Sequence, residues 1–133
     1  MDAVSRMLDF HADALRLRAE RQRTIASNLA NADTPGYQAR DFDFAKALKE
    51  ATGMPGAAPG SLKSTDARHL GATGGASTVS LAWRVPHQAA LDGNTVEVDA
   101  ERASFAENTV RYEATLRFMN GQIQSVLAAM KGQ

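Results

Sequence analysis

The chain has 133 residues, with 15 Lys+Arg balanced by 15 Asp+Glu and no cysteine. Zero formal charge argues against a general nucleic-acid or acidic-membrane binder, and the missing thiols exclude disulfides, thiolate zinc sites and a cysteine nucleophile. Hydrophobic residues make up 44 % but aromatics only 6 %, so the apolar mass comes largely as alanine and predicts a thin core in one mainly helical domain.

The opening MDAVSRMLDFHADALRLRAERQ is interrupted by Asp2 and Asp9 and predicts no cleavable secretory signal. A helix is predicted from about residue 3 to residue 31. Val4, Leu8, His11, Leu15, Arg18, Gln22, Ile25, Leu29 and Ala32 recur at alternating steps of four and three, one stripe of a helix with a seven-residue period. Thr34-Pro35-Gly36 stops it, because proline disfavours the α conformation before it and brings no donor. Asn28 and Asn31 are poor interior residues but good partners for backbone groups where a helix ends. Tyr37 anchors the turn that follows.

Beyond the turn, six of the ten glycines fall between Gly53 and Gly75, with Pro55 and Pro59 among them. Residues 51–96 hold only Lys63, Arg68, Arg84, Asp66 and Asp92 as charges. The composition therefore divides the chain into an N-terminal helix (1–33), a loop-rich middle (34–98) and a C-terminal helix (99–133). Within the middle, Thr78–Val85 alternates small and apolar residues around Trp83. Asp92-Gly93-Asn94 is a turn before Val96 and Val98, so a short hairpin or an extended arm is expected.

The last segment repeats the first. Asp99 is the expected N-cap, with Glu101 in the positive first turn. Phe105, Thr109, Tyr112, Leu116, Met119, Ile123, Val126 and Met130 again alternate four and three, and Gly121 lies off that stripe. Neither stripe can be buried by one helix alone, so the terminal helices are expected to pair as an antiparallel-type coiled coil. The seam would run through Leu8, His11, Leu15, Arg18, Ile25 and Leu29 against Phe105, Tyr112, Leu116, Met119 and Ile123. Arg18 inside that seam needs a carboxylate, with Glu101 the best-placed acid, or a path to water. Phe10, Leu17, Val110 and Phe118 lie off the stripes and suggest further helices outside, from other subunits.

Catalytic and metal patterns are missing. His11, His69 and His87 are too far apart to form a ligand pair, and Asp41-Phe42-Asp43 is followed by no calcium-loop carboxylates. No phosphate loop, nucleophile elbow or dinucleotide fingerprint occurs. The expectation is no enzyme, no cofactor, no metal and no small-molecule substrate. Arg16, Arg18, Arg21 and Arg23 keep open a remote reading as a helical nucleic-acid-binding regulator, although they spread around the helix without aromatic partners.

Ala26-Ser27-Asn28-Leu29-Ala30-Asn31, followed by Thr34-Pro35-Gly36-Tyr37, resembles the signature of the flagellar axial proteins. Leu8-Asp9-Phe10-His11, Ala39–Phe44, Thr65-x-x-x-His69-Leu70 and Leu91–Asp99 with Glu101 narrow the resemblance to the flagellar basal-body rod protein family, among its proximal rod subunits. The sister short proximal rod protein, or another axial subunit, is the alternative. The resemblance implies a structural subunit exported without a cleavable signal by the flagellar type III apparatus and needed for motility. It would be built into the rod between the membranes beside copies of itself, other rod subunits and the ring or rod adaptor proteins. It also implies a recognition pattern for the export gate, Phe then a hydrophobe four residues on, which Phe44 and Leu48 match.

Overall fold

The computed structural model describes residues 2–53, 79–88 and 90–132. Within them the order is α1 (Asp2–Ala30), β1 (Arg40–Asp41), α2 (Phe44–Ala51), β2 (Ala82–Trp83) and α3 (Val98–Met130). The fold is mainly helical, with one two-stranded antiparallel sheet in which Arg40 faces Trp83 and Asp41 faces Ala82.

Neither glycine nor proline interrupts α1, and Gly36 turns the chain beyond it at φ +71°. That left-handed conformation costs glycine nothing and any other residue a Cβ clash. At the start of α2, Asp43 caps the helix by accepting from the Lys46 N–H at 3.1 Å. Its end is closed by Thr52, whose hydroxyl donates to the Leu48 carbonyl at 2.9 Å.

α3 lies antiparallel to α1. Arg18 Nε donates to Thr115 Oγ1 (3.3 Å) and Gln22 Nε2 to Thr109 Oγ1 (3.0 Å), so partners fall in number on one helix as they rise on the other. α2 packs on a different side of α1, where Leu17, Phe42 and Ala47 form a buried cluster with Phe44, Leu48, Ala51 and Val79 against it.

Four expectations are corrected. The hairpin does not form between Thr78–Val85 and Val96–Val98: β2 pairs with β1 instead, and Val98 opens α3. The leg after the turn pairs with the segment after Gly36. Gly36 N–H donates to the Asp92 carbonyl at 2.9 Å and Thr95 N–H to the Tyr37 carbonyl at 3.0 Å. The α3 cap position is Glu97, not Asp99, and it makes no side-chain cap bond. The Glu97 carboxylate is occupied elsewhere, accepting the N–H groups of His87 (2.9 Å) and Gln88 (3.2 Å). Leu17 needs no outside helix, because α2 covers it to 2 % exposure. Arg18 does not meet Glu101. That acid belongs to Arg84, and Arg18 turns to Thr115 and to the ring of Phe44. Of the glycine- and proline-rich stretch from Gly53 to Gly75 only Gly53 is described, and Thr65, His69 and Leu70 lie outside the described residues.

Candidate functional site

The signature residues build one rigid corner at the C-terminal end of α1. Asn28 is fully buried and pairs with the main chain of Arg40 like a strand edge. Its Nδ2 donates to the Arg40 carbonyl at 2.8 Å and its Oδ1 accepts the Arg40 N–H at 3.1 Å. One turn later, Asn31 Nδ2 donates to the Ser27 carbonyl (2.8 Å) and its Oδ1 accepts from the Thr34 hydroxyl (3.2 Å). The Tyr37 hydroxyl sits 3.4 Å from both Ser27 Oγ and Asn28 Oδ1, tying the turn back to the helix.

Asn94 completes the corner from the far side of the chain. Its Nδ2 lies within 3.0 Å of the carbonyls of Asn31, Ala32 and Thr34. These carbonyls belong to the turn just beyond α1, and one buried amide group reaches them from a residue 60 positions and more away; those of Asn31 and Thr34 also accept the N–H groups of Thr34 and Tyr37. Asn94 is itself fixed, its N–H donating to Asp92 Oδ1 (3.0 Å) and its Oδ1 accepting from Val96 N–H (2.8 Å). Gly93, at φ +75°, lies beside Gly36, whose Cα an added Cβ would meet at an ordinary van der Waals distance of 3.7 Å.

Next to this corner four charged side chains from four elements form a ladder. Asp41 of β1 accepts two bonds from Arg21 of α1 (Nε 3.2 Å, Nη2 3.0 Å) and one from Arg84 beside β2 (Nη2 2.7 Å). Arg84 Nη1 goes on to Glu101 of α3 at 2.5 Å, and Glu101 is fully buried. Burial pushes the Asp41 carboxyl pKa up. The Arg21 hydrogen bonds, the Phe42 N–H, the Arg84 bond and the Arg21 charge outweigh that, so the net shift is downward. The ladder was not read from the sequence. Its one signal there is Arg84 itself, an isolated cation in a charge-poor segment that carries its own acidic partners only at a distance.

Four of the five arginines of α1, the cluster from Arg16 to Arg23, are individually committed. Arg21 belongs to the ladder, Arg16 pairs with Asp13 at 3.4 Å and Arg23 with Glu20 at 3.2 Å. Arg18 stacks on Phe44, 4.4 Å from the ring centroid. Its burial, then the charges of Arg111 and Arg21, lower its pKa. Four arginines with four separate intramolecular tasks do not make a phosphate-binding stripe.

The α3 side chains that hydrogen-bond to α1 are polar. Asn108 is buried, its Nδ2 donating to the Arg18 carbonyl (2.9 Å) and to Gln22 Oε1, and Thr115 is half-buried beneath Arg18. Phe105, Tyr112, Leu116 and Ile123 sit about 40–80° around the helix from Asn108. Each remains 37–38 % exposed. Met119 is half-buried, as are Leu8, His11, Leu15 and Leu29 on α1, and Ile25 is fully buried. A groove runs between the two helices here, lined by Ala19, Gln22, Asn108, Thr109 and Tyr112. Val110 and Phe118, elsewhere on α3, are 67 % and 68 % exposed. Phe44 and Leu48 lie on α2, both half-buried. Among the described residues no group of three or more His, Cys, Asp or Glu could hold a metal ion, and no helix is long and apolar enough to cross a membrane.

A corner of this construction, joining two long helices that leave apolar side chains uncovered, is a scaffold for assembly. Residues 8–38, which contain the corner's α1 side, match the model of the family described as flagella basal body rod protein. The similarity extends over the whole length. A flagellar basal body rod protein FlgB of Proteus mirabilis is 43 % identical over 98 % of this chain and 98 % of its own. The FlgB proteins of Escherichia coli K12 and Cereibacter sphaeroides are 42 % and 44 % identical, covering 98 % and 95 % of this chain and 97 % and 94 % of their own. The chain belongs to the flagellar basal body rod protein family.

Proposed function

We propose that this chain is a structural subunit of the proximal rod, built into the basal body through the apolar face that the α1–α3 pair leaves open. The observation that carries the reading is the division of labour on α3. Asn108, Thr109 and Thr115 bond to α1, while Phe105, Tyr112, Leu116 and Ile123, which lie between Asn108 and Thr109 around the helix, still stay more than a third exposed. Each such side chain is worth about 1.5–3 kcal/mol when fully buried. A third helix, from another copy or another rod subunit, would gain that by completing a coiled-coil packing with the seam residues of both helices. The family signature at Ala26–Tyr37 holds α1 at a fixed angle to the middle segment, so the face is presented in one geometry. No chemistry is assigned: the partners are other rod subunits and ring or rod adaptor proteins, reached after export through the flagellar type III apparatus. In that export the pattern Phe44 and Leu48 serves as the gate's recognition point.

The test separates folding from assembly. Leu116→Asp places a carboxylate on the partly exposed apolar face, where the side chain is 37 % exposed. The purified variant is expected to melt within a few degrees of the wild type, and the cells to secrete the subunit yet lack it in isolated basal bodies and fail to swim. Normal incorporation of the variant rejects the open face as the assembly surface.

A further inference from the structure

We propose that Asn120-Gly121 is a site of spontaneous deamidation that α3 holds shut, and that it opens when the second half of α3 lifts locally from α1. The chain has five asparagines. The side-chain amides of Asn28, Asn31, Asn94 and Asn108 are each engaged by the fold. Each of the four is followed by a residue with a Cβ: Leu29, Ala32, Thr95 and Thr109. Asn120 differs on both counts. It is exposed, its side chain makes no hydrogen bond among the described residues, and its successor is Gly121. A Cβ built at Gly121 would meet no atom within 4 Å. A glycine weakens the middle of a helix, and this one serves no close approach within the chain. It leaves an unhindered main-chain nitrogen beside a free carboxamide.

The reaction needs only water. The Gly121 nitrogen, having lost its proton, attacks Asn120 Cγ. The new N–Cγ bond closes a five-membered succinimide as the Cγ–Nδ2 bond breaks, and Nδ2 leaves with that proton as ammonia. Water then opens the ring. Cleavage of the N–Cγ bond gives aspartate, and cleavage at the main-chain carbonyl gives isoaspartate, whose backbone runs through Cβ and Cγ. The backbone is then one atom longer, and the helical ladder no longer closes across it.

Helix geometry blocks the first step. Within α3 the Gly121 N–H points to the Arg117 carbonyl one turn back, while the Asn120 side chain projects from the helix wall. Ring closure must turn ψ of Asn120 out of the α region and give up that bond. Ser125 adds a tie, its hydroxyl donating to the Gly121 carbonyl at 3.0 Å. The reaction therefore waits on opening, and α3 is held least where this pair stands. Its buried residues, Glu101 and Asn108, both lie before its midpoint. From Leu116 to Met130 no residue is buried, and Met119, Gln122 and Val126 are half-buried. A segment with so few buried contacts opens at a fraction of the free energy of global unfolding. Asp92-Gly93, which could close the same ring by losing water, is fixed in the corner. There Gly93 N–H donates to the Ala90 carbonyl at 3.1 Å and Asp92 Oδ1 accepts from Asn94 N–H at 3.0 Å.

The test follows the tryptic peptide Phe118–Lys131 by mass spectrometry, with its aspartate and isoaspartate forms separated by chromatography. The full chain is held at pH 8 in native buffer and in guanidinium chloride. In denaturant Asn120 should react at least tenfold faster than any other asparagine. Gly121→Ala, compared there because no helix remains to differ, should remove that advantage. In native buffer the wild type should react at least tenfold more slowly than in denaturant. That native rate should stay nearly flat as guanidinium is raised towards the unfolding transition, because local opening exposes little surface. Val126→Gly, which loosens the end of α3, should raise it severalfold. Equal rates in native buffer and denaturant would show that α3 does not shut the site. An advantage that survives Gly121→Ala would reject ring closure as the route. A native rate that climbs steeply from the first additions of guanidinium, or that Val126→Gly leaves unmoved, would overturn local opening of α3 as the way in.

Discussion

Asn94 offers a sharp test of how the corner is held. Its Nδ2 serves three carbonyls at the end of α1, at 3.0, 2.8 and 2.9 Å, from a site only 6 % exposed. Replacing it by alanine removes the donors and leaves the part-buried Ala32 carbonyl without a partner, whereas those of Asn31 and Thr34 keep the N–H groups of Thr34 and Tyr37. A net hydrogen bond is worth about 1 kcal/mol, and an unsatisfied buried acceptor costs about 1–3 kcal/mol. With one of the three acceptors left unpaired, Asn94→Ala is expected to cost about 1–3 kcal/mol. Asn94→Asp keeps the shape and inverts the electrostatics, setting a carboxylate against three carbonyls at the negative end of a helix dipole. It should be the worse of the two at pH 7, and it should recover part of the loss as the pH falls. The fold disfavours the new carboxylate, so its folded pKa is raised, and protonation relieves the repulsion and restores one donor. Urea unfolding followed by far-UV circular dichroism at pH 7 and pH 5 measures both effects. Equal stability of Asn94→Asp and the wild type at pH 7 would refute the reasoning, because it would mean the amide donors do not hold the helix end.

The ladder makes a prediction with the opposite pH sign. The Asp41 pKa is depressed in the fold, so its contribution is present above the unfolded value of about 3.9 and is lost as pH falls through the lower folded value. Asp41→Asn should lower stability at pH 7 by about 1–3 kcal/mol, less than a fully buried pair because Arg21 and Arg84 remain about a quarter exposed. It should also flatten the decline below pH 4 in urea titrations. Leu17→Ala, in the cluster under α2, should cost about 2–4 kcal/mol in the same assay. Phe118→Ser changes a side chain that is 68 % exposed and should alter stability by less than about 0.5 kcal/mol. A large loss there would show that Phe118 is covered within the monomer.

The sequence made the helices legible because their period and their stops are local properties. Freedom from proline and glycine up to Pro35 marks α1, and Asn28, Asn31 and Gly36 mark its end. The pairing of the two terminal helices agrees with the expectation; what failed were inferences that named an individual partner at long range. Period analysis locates a stripe of large side chains, but it cannot say whether the stripe faces the neighbouring helix or lies beside it. Small polar groups such as Asn108 and Thr115 carry no hydrophobic signal, so the contact row was invisible until its partners Arg18 and Gln22 were in place. Arg18 was assigned to Glu101 on the same ground. The assignment lost because Arg84 reaches that acid from β2, whose pairing with β1 no local pattern announces. The signature was recognisable as a pattern, yet the reason for its spacing needed Arg40, Asn94 and Tyr37 in space.

The threonines along the α3 contact row have a mechanical consequence. Thr109 and Thr115 spend their hydroxyl protons on their own helix, donating to the carbonyls of Phe105 and Arg111 at 2.9 and 2.8 Å. Their lone pairs are thereby aimed outward in a fixed direction, where Gln22 and Arg18 find them. An interface of interlocking aliphatic chains can creep under sustained shear, since each knob finds a comparable hole one turn further along. Directed acceptors spaced along a helix offer no such succession of equivalent resting places. A slip of one residue rotates each threonine by about 100° and breaks both threonine bonds together. The α1–α3 pair should therefore resist sliding along its length while still bending sideways, behaving as a keyed joint in which the keys are cut by hydroxyl groups.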